Sequence, residues 1–249
     1  MIIEKYINRL SLNNSRLKPS KKNLEYLSKA HLQCIPFENL DIHLKKPILL
    51  NQEYLSYKLL NQRRGGYCFE LNGLFQIFLQ QLGYEARLIS AQVFNNTQGY
   101  SPEFDHAAIL VTIDNETFLV DVGFGDFTQV PLNINRANNQ SDGHKEFNFQ
   151  QTIDDFVVCE VNSQQAKPLY RFQKISRNLA DFEIRNQFHQ YSLDSHFHKK
   201  KLITRVTDTG RVTLTDNQLI IYKNGKKSEE TIRPSEFKYY LFQYFKIKI

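Results

Sequence analysis

Cys68 is the residue of this chain that is best placed to do nucleophilic chemistry. Two glycines, Gly65 and Gly66, stand shortly before it, and apolar residues then recur between residues 71 and 82 at the spacing of one helix face. Gly83 follows where a helix C-cap glycine belongs, so the pattern predicts a helix that begins at Cys68. The positive end of such a helix stabilises a thiolate, the nucleophilic form of cysteine. The alternative is a small buried side chain that happens to start a helix.

A histidine and an aspartate further along the chain complete a set of groups that can activate a thiol. His106 opens one predicted strand and Asp121 stands near the end of the next, with a turn at Asp114-Asn115 between them. A tight hairpin would therefore bring His106 and Asp121 side by side. In a Cys-His-Asp triad the thiol attacks, the imidazole takes its proton, and the carboxylate orients the imidazole and stabilises its charged form.

The other six histidines are weaker candidates for chemistry, since a lone histidine is usually structural or solvated. One lies on a predicted helix and two in loops, and the last three lie in a polar stretch with no nucleophile nearby. They are His31, His43, His144, His189, His196 and His198.

Composition restricts the class of protein. With 249 residues, 41% hydrophobic and 13% aromatic, the chain is long and apolar enough to fold around a substantial core. The net charge of +6, spread among 26 acidic residues, suits an anionic cofactor and is weak evidence for nucleic acid. No apolar run approaches the roughly 18 residues of a membrane span, and the first residues lack a signal-peptide pattern. We therefore expect a protein that works in the cytoplasm.

The cysteines exclude two further classes of site. There are three of them, at widely spaced positions 34, 68 and 159, so no disulfide framework is indicated. They form no Cys-x-x-Cys pair, so we expect no zinc site and no other metal.

Periodicity divides the chain into three regions. Residues 1–84 are predicted to be helical, with Ser20 capping a helix over about 21–33 and Asn51 capping one that ends at Gly65. Residues 85–185 show strand patterns, which predict a small antiparallel barrel or curled sheet. Residues 186–249 show a strand meander followed by a helix that Pro234 begins. The fold class is α+β.

The segment between the first two strong helices, Ile35-Pro36-Phe37-Glu38-Asn39-Leu40, is predicted to be a connecting loop. It has an apolar body and one carboxylate, Glu38, and a carboxylate in such a loop needs a charged partner. Arg63 and Arg64 could each be that partner, and we predict Arg64, in a buried or half-buried ion pair that holds the loop against the Cys68 helix.

Four motifs, in the same order along the chain, resemble those of the arylamine N-acetyltransferases. The run Arg64-Gly65-Gly66-Tyr67-Cys68-Phe69-Glu70-Leu71-Asn72 resembles the active-site signature of that family, and Ile35 to Asn39 resembles its upstream motif. The third match has two parts, the histidine and aspartate motifs Asp105-His106 and Val120-Asp121-Val122-Gly123-Phe124-Gly125. Asn186 to Ser192, with Ser195 and Phe197, resembles a fourth, looser motif.

The resemblance implies a helical bundle, a central antiparallel β-barrel and a C-terminal α/β lid. It also implies acetyl-coenzyme A as donor, an aromatic amine, hydrazine or hydroxylamine as acceptor, and Cys68, His106 and Asp121 as the triad. By matched position, the acceptor residues are Phe37, Asp105 and Phe124, and the coenzyme A contacts are Phe188 and Ser195. The segment before His106 departs from the family, because it lacks a glycine that some members carry near coenzyme A and adds the negative Glu103.

Three alternatives share the same residues. A Cys-His-Asp triad also serves hydrolases and transglutaminase-like enzymes. An amide synthase that resembles this family would close a macrocycle from a carrier-bound acyl chain. A binding module would carry the same residues without catalysis.

Overall fold

The computed structural model describes residues 2–12, 17–163 and 165–249, which form helices and two antiparallel sheets. The helices are α1 (Ile2–Leu10), α2 (Lys21–Cys34), α3 (Leu40–His43), α4 (Gln52–Ser56), α5 (Cys68–Gln81), α6 (Glu183–Tyr191) and α7 (Phe237–Phe245). A π-helical turn at Tyr57–Asn61 continues α4, and 3₁₀ turns are formed by Leu179–Phe182, His196–His198 and Pro234–Glu236. The strands are β1 (Phe37–Glu38), β2 (Glu85–Asn95), β3 (Gly99–Tyr100), β4 (His106–Ile113), β5 (Glu116–Val120), β6 (Leu132–Asn133), β7 (Gln140–Ser141), β8 (Glu146–Gln151), β9 (Phe156–Asn162), β10 (Gln165–Phe172), β11 (Leu202–Thr207), β12 (Gly210–Thr215), β13 (Gln218–Lys223) and β14 (Lys226–Thr231).

The predicted caps begin their helices. The Ser20 side chain accepts the Asn23 N–H at 3.2 Å before α2, and the Asn51 side chain accepts the Tyr54 N–H at 2.9 Å before α4. The second of these helices was predicted to continue to Gly65, which is wrong. Its last residues form the π-helical turn, which ends at residue 61.

Helix α5 begins at Cys68 as predicted, and ten of its fourteen residues are buried. Leu71, Leu74 and Phe78 are fully buried, and α5 packs on β2 and β4 of the larger sheet. Gly83 follows with a φ of +92°, a left-handed conformation that glycine adopts without a steric penalty. Because α5 packs on β2 and β4, its N-terminus is fixed against the sheet that carries His106.

The larger sheet has the order β6-β5-β4-β2-β10-β9-β8-β7, with β3 paired to β2, and curls into a nearly closed barrel as the sequence predicted. Strands β4 and β5 form the predicted hairpin. Its turn residues, Asp114 and Asn115, have φ values of +49° and +64°, which match a type I′ turn. The tight hairpin brings the start of β4 close to the end of β5.

The smaller sheet has the order β1-β11-β12-β13-β14, and α7 packs on it through Phe237, Leu241 and Phe245. Its edge strand β1 lies in the segment that was predicted to be only a connecting loop, so that prediction is corrected. Two residues are too few for a strand to show an alternating pattern. The division of the chain into three regions remains a prediction. Helix α6 includes residues on both sides of the boundary that was placed between residues 185 and 186.

A buried network of charges joins the β1–α3 segment to the start of α5. The predicted ion pair between Arg64 and Glu38 is present at 2.7 Å. Arg64 also pairs with Asp41 at 2.8 Å, and Lys58 bridges Asp41 at 2.8 Å and Glu70 at 2.7 Å. All five residues are at most 7% exposed. The sequence predicts only the Arg64–Glu38 pair, because no motif links Lys58 or Asp41 to the other members of the network.

We predict that Arg64→Gln lowers the free energy of unfolding by about 3–5 kcal/mol, because it leaves the buried carboxylates of Glu38 and Asp41 with only Lys58 as a cation. Urea denaturation measures the change. Arg63→Gln is the matched control, since it removes a neighbouring but exposed guanidinium and should change stability by less than about 0.5 kcal/mol. Equal losses in the two variants would contradict a structural role for the network.

Candidate active site

Cys68 is the first residue of α5 and is buried. The Glu70 carboxylate accepts the Tyr67 N–H at 3.1 Å and so satisfies one free donor at the helix start. Gly65 permits a close approach of the backbone to the segment that carries Pro36. A Cβ on Gly65 would lie 2.1 Å from the Pro36 carbonyl oxygen, so any side chain there would push this segment away.

His106 and Asp121 are in direct contact. The ring Nε2 of His106 lies 2.7 Å from the Asp121 Oδ2, and both side chains are buried. Burial disfavours the charged ring, but the charge and hydrogen bond of Asp121 and a hydrogen bond to Cys68 outweigh it and raise the pKa of His106 to about 10. Since Nε2 faces Asp121, Nδ1 is the ring nitrogen that is left for the thiol. The three residues can therefore form a thiolate–imidazolium pair supported by a carboxylate.

Asp121 accepts hydrogen bonds at both oxygens from several elements. Its Oδ1 accepts the Asn72 amide at 2.8 Å and the Gly123 N–H at 2.9 Å, and its Oδ2 also accepts the Tyr170 hydroxyl at 3.0 Å. Asn72 lies in the motif around Cys68, but the sequence predicts neither its role nor that of Tyr170. No sequence signal links Tyr170 on β10 to Asp121, because only the barrel brings them together.

Gly123 explains how the turn after β5 reaches the thiol. A Cβ at this position would lie 2.7 Å from the Asn72 side-chain nitrogen and 2.8 Å from the Cys68 Cα. The backbone after Asp121 therefore packs directly on the first turn of α5, where no side chain fits.

A cavity of about 1130 Å³ opens beside the thiol, between the barrel and the smaller sheet. It is lined by seven of the residues that the sequence analysis singled out, namely Cys68, His106, Phe37, Phe124, Asp105, Phe188 and Ser195. Asp121 lies behind His106, and Glu38 and Arg64 lie in the buried charge network, so these three do not line it. The cavity wall also includes the cations Arg185, Lys199, Lys200, Arg211 and Lys227, which the sequence analysis did not single out.

Two residues near His106 differ from expectation. Glu103, considered a negative charge near the cofactor, does not line the cavity and pairs with Arg177 at 2.6 Å. His189, placed by sequence in a polar stretch without a nucleophile, is 1% exposed and lies in the wall of the cavity that holds Cys68. Helix spacing would have signalled it, since Asn186 of the fourth motif lies one turn earlier on α6.

The remaining cysteines lack this setting. Cys159 is buried in the barrel, where burial raises the pKa of its thiol, and Cys34 lies half-buried at the end of α2. Within residues 2–12, 17–163 and 165–249, no three histidine, cysteine or acidic side chains are grouped to hold a metal ion. In the same ranges no helix has the length and apolar character needed to cross a bilayer.

A buried cysteine that begins a helix, beside a histidine–carboxylate pair and a large cavity, defines a class of thiol-dependent acyl-transferring enzymes. The family model for N-acetyltransferases matches residues 21–249. The arylamine N-acetyltransferase of Escherichia coli K12 is 33% identical over 217 residues, which cover 85% of this chain and 77% of that protein. The chain belongs to the arylamine N-acetyltransferase family and is an acyltransferase. The hydrolase and amide-synthase alternatives are not favoured.

Solved structures agree in fold. An arylamine N-acetyltransferase from Bacillus cereus, described as having a unique Cys-His-Glu catalytic triad, superposes with a TM-score of 0.91 at 25% identity over 100% of this chain and 99% of that one. The Mycobacterium marinum enzyme in complex with CoA superposes with a TM-score of 0.88 at 26% identity, over 97% and 91% of the two chains. In this chain the carboxylate beside the histidine is an aspartate, Asp121.

We predict that Asp121→Asn moves the pH midpoint of Cys68 alkylation upwards. Without the carboxylate, the pKa of His106 falls from about 10 towards its ordinary 6.5, so the imidazolium that supports the thiolate is lost as the pH rises through that lower value. The midpoint should therefore approach the value of about 8.5 for a free thiol. Iodoacetamide rates against pH measure it.

Asp114→Asn is the control for this substitution, because it makes the same change at the exposed turn of the same hairpin. It should keep the wild-type profile. An unchanged midpoint in folded Asp121→Asn would remove Asp121 from the triad.

Proposed function

We propose that this chain transfers an acetyl group from acetyl-coenzyme A to an aromatic amine, hydrazine or hydroxylamine through a thioester on Cys68. The observation that carries the proposal is the direct contact of His106 with Asp121 in the wall of the cavity that also holds Cys68, the first residue of α5. Family membership supplies the donor and the acceptor class.

In the first half-reaction, the Cys68 thiolate attacks the carbonyl carbon of the acetyl thioester. The bond between that carbon and the coenzyme A sulfur then breaks, and the leaving thiolate takes the proton of the His106 imidazolium. Acetyl-Cys68 and a neutral imidazole remain. Asp121 keeps the ring oriented throughout and does not itself take the proton.

In the second half-reaction, the nitrogen of the acceptor attacks the carbonyl carbon of acetyl-Cys68. His106, now neutral, takes the proton from that nitrogen, and the bond to the Cys68 sulfur breaks. The N-acetyl product leaves, and the thiolate–imidazolium pair is restored. Both halves use the same imidazole, first as acid and then as base, which is the pattern of a ping-pong reaction.

The aromatic part of the cavity suits an aromatic acceptor. The Phe124 ring meets the His106 ring edge-on at 5.2 Å, and Phe37 and Phe197 lie 6.3 Å apart in the same wall. Such rings bury an aryl group and orient it by edge-to-face contacts. Aromatic amines are weak bases, so the attacking nitrogen is neutral near pH 7.

The cations of the cavity wall suit the phosphates of coenzyme A. Lys199 and Lys200 are exposed, and among the described residues neither has a carboxylate partner. In the part of the chain that the structure describes, Arg211 has only one carboxylate contact, in which its Nε lies 3.4 Å from an oxygen of Asp126, and the Asp126 side chain is itself 64% exposed. Unpaired cations on a cavity attract an anionic ligand and raise its local concentration.

The acetyl adduct tests the proposed reaction. Incubation with acetyl-coenzyme A should add one acetyl group of about 42 Da to the wild-type chain, since the thioester is the resting product of the first half-reaction when no acceptor is present. Cys68→Ala should show no adduct, and addition of an aromatic amine should remove it from the wild-type chain. Equal labelling of Cys34 or Cys159 would argue against the assignment.

We further predict that the double substitution Lys199→Gln, Lys200→Gln raises KM for acetyl-coenzyme A about five- to thirtyfold, because each exposed charge contact contributes on the order of 0.5–1 kcal/mol. Acylation by p-nitrophenyl acetate, a donor without phosphates, should be unchanged. The pair Lys45→Gln, Lys46→Gln removes two exposed charges outside the cavity and is the control. A parallel loss with both donors would contradict a phosphate-binding role.

A further inference from the structure

Asp105, the residue directly before His106, is held by two side chains of α6. Its Oδ1 accepts a hydrogen bond from the Arg185 guanidinium and lies 3.3 Å from the His189 Nε2. The three side chains are 9%, 18% and 1% exposed, respectively. Burial alone would raise the pKa of Asp105, but the adjacent His189 ring and the hydrogen-bonded Arg185 guanidinium hold it well below its usual range. The carboxylate is therefore charged and firmly anchored.

The backbone in front of Asp105 makes this anchor necessary. Phe104 has a φ of +63°, a left-handed conformation that non-glycine residues rarely adopt and that surrounding contacts must maintain. The Phe104 ring packs edge-on against Phe182 at 5.4 Å, in the turn that leads into α6. Because the backbone turns here, Asp105 lines the cavity of Cys68, whereas Glu103 lies outside that cavity.

The position of His106 depends on contacts outside the strand ladder more than the position of a residue in the middle of a strand does. It is the first residue of β4, where it pairs with Ala91 of β2, and the irregular segment before it has no strand partner in the ladder. Asp121 fixes one ring nitrogen, and the Phe124 and Tyr170 rings pack on the ring at 5.2 and 5.1 Å. None of these contacts fixes the backbone on the N-terminal side of His106.

We infer that Asp105 is a positioning residue for His106. The salt bridge to Arg185 and the contact with His189 fix the start of β4 to α6, and they thereby hold the imidazole in the position where Nδ1 reaches the Cys68 thiol. Asp105 contributes through this anchorage, whereas Asp121 contributes through direct contact with the ring.

The side chains that hold Asp105 also lie near the expected binding site of the acetyl donor, a point that rests on the proposed function. The Arg185 guanidinium stacks on the Phe188 ring at 4.1 Å, and the His189 Nδ1 lies 3.0 Å from the Ser195 hydroxyl. Phe188 and Ser195 are the expected contacts of coenzyme A. The side chains that hold Asp105 therefore lie in the same part of the cavity wall as the residues to which the donor is expected to bind.

The pH profile of Cys68 alkylation tests the inference without any substrate. Asp105→Asn removes a negative charge and Arg185→Gln removes a positive one. If the cluster acted through its electric field, the two substitutions would move the midpoint in opposite directions. If it acts by holding His106, both should move the midpoint upwards, by about half a pH unit or more, which is a roughly threefold fall in rate below the midpoint.

Glu103→Gln is the matched control, because it removes a neighbouring ion-paired carboxylate outside the cavity and should leave the midpoint in place. Arg185 is the most exposed member of the cluster, so its variant keeps the test informative if Asp105→Asn does not fold. Midpoints that move in opposite directions, that do not move, or that move equally in Glu103→Gln would overturn the inference. Because alkylation needs no acetyl-coenzyme A, absence of the acetyl adduct would defeat the proposed function and leave this result intact.

Discussion

The buried carboxylate of Asp121 is the group on which the arrangement of the site depends. A charge without water must have its oxygens satisfied by donors, and here the donors come from α5, β4, β10 and the turn after β5. Asn72 does most of this joining, since its amide also donates to the Ala107 carbonyl at 2.7 Å and accepts the Val122 N–H at 2.9 Å. One helix side chain thus fixes the helix that carries the thiol against β4, which carries the base, and against the turn after β5, which carries the carboxylate.

A second set of charges supports the other side of Cys68. The network beneath the β1–α3 segment holds three carboxylates and two cations, so one negative charge is in excess. That excess falls on Glu70, because burial and the nearby carboxylates outweigh the attraction of Lys58 and raise the pKa of Glu70 to about 7. Glu70 is two residues from Cys68 in the first turn of α5, where a full negative charge would oppose a thiolate. A carboxyl that is partly protonated near neutral pH reduces that opposition, so the network can hold the helix start without cancelling its positive end.

The sequence predicts best what local pattern determines. The helix at Cys68, the caps at Ser20 and Asn51, and the hairpin turn all follow from residues within a few positions of one another, and the structure agrees on each. It predicts poorly what only distant contacts determine. Strand β1 is too short to show a period, and the partners of Asp105 and Asp121 that were missed, His189 and Tyr170, lie 84 and 49 residues away along the chain. No periodicity relates such residues, and the resemblance to a family identified the triad without its supports.

The site is divided among parts of the chain that are far apart in sequence. The thiol comes from α5, the histidine and the aspartate from the barrel, and the cations of the cavity wall from residues after 184. Strand β1, just upstream of the thiol helix, also hydrogen-bonds to β11 of the smaller sheet and so ties the late part of the chain to the early part. Because the imidazolium and the helix start must both be in place before the thiolate is stabilised, a partly folded chain holds Cys68 as an ordinary thiol. The reactive thiolate therefore forms only in the folded chain, in which the cavity that selects its substrates is also formed.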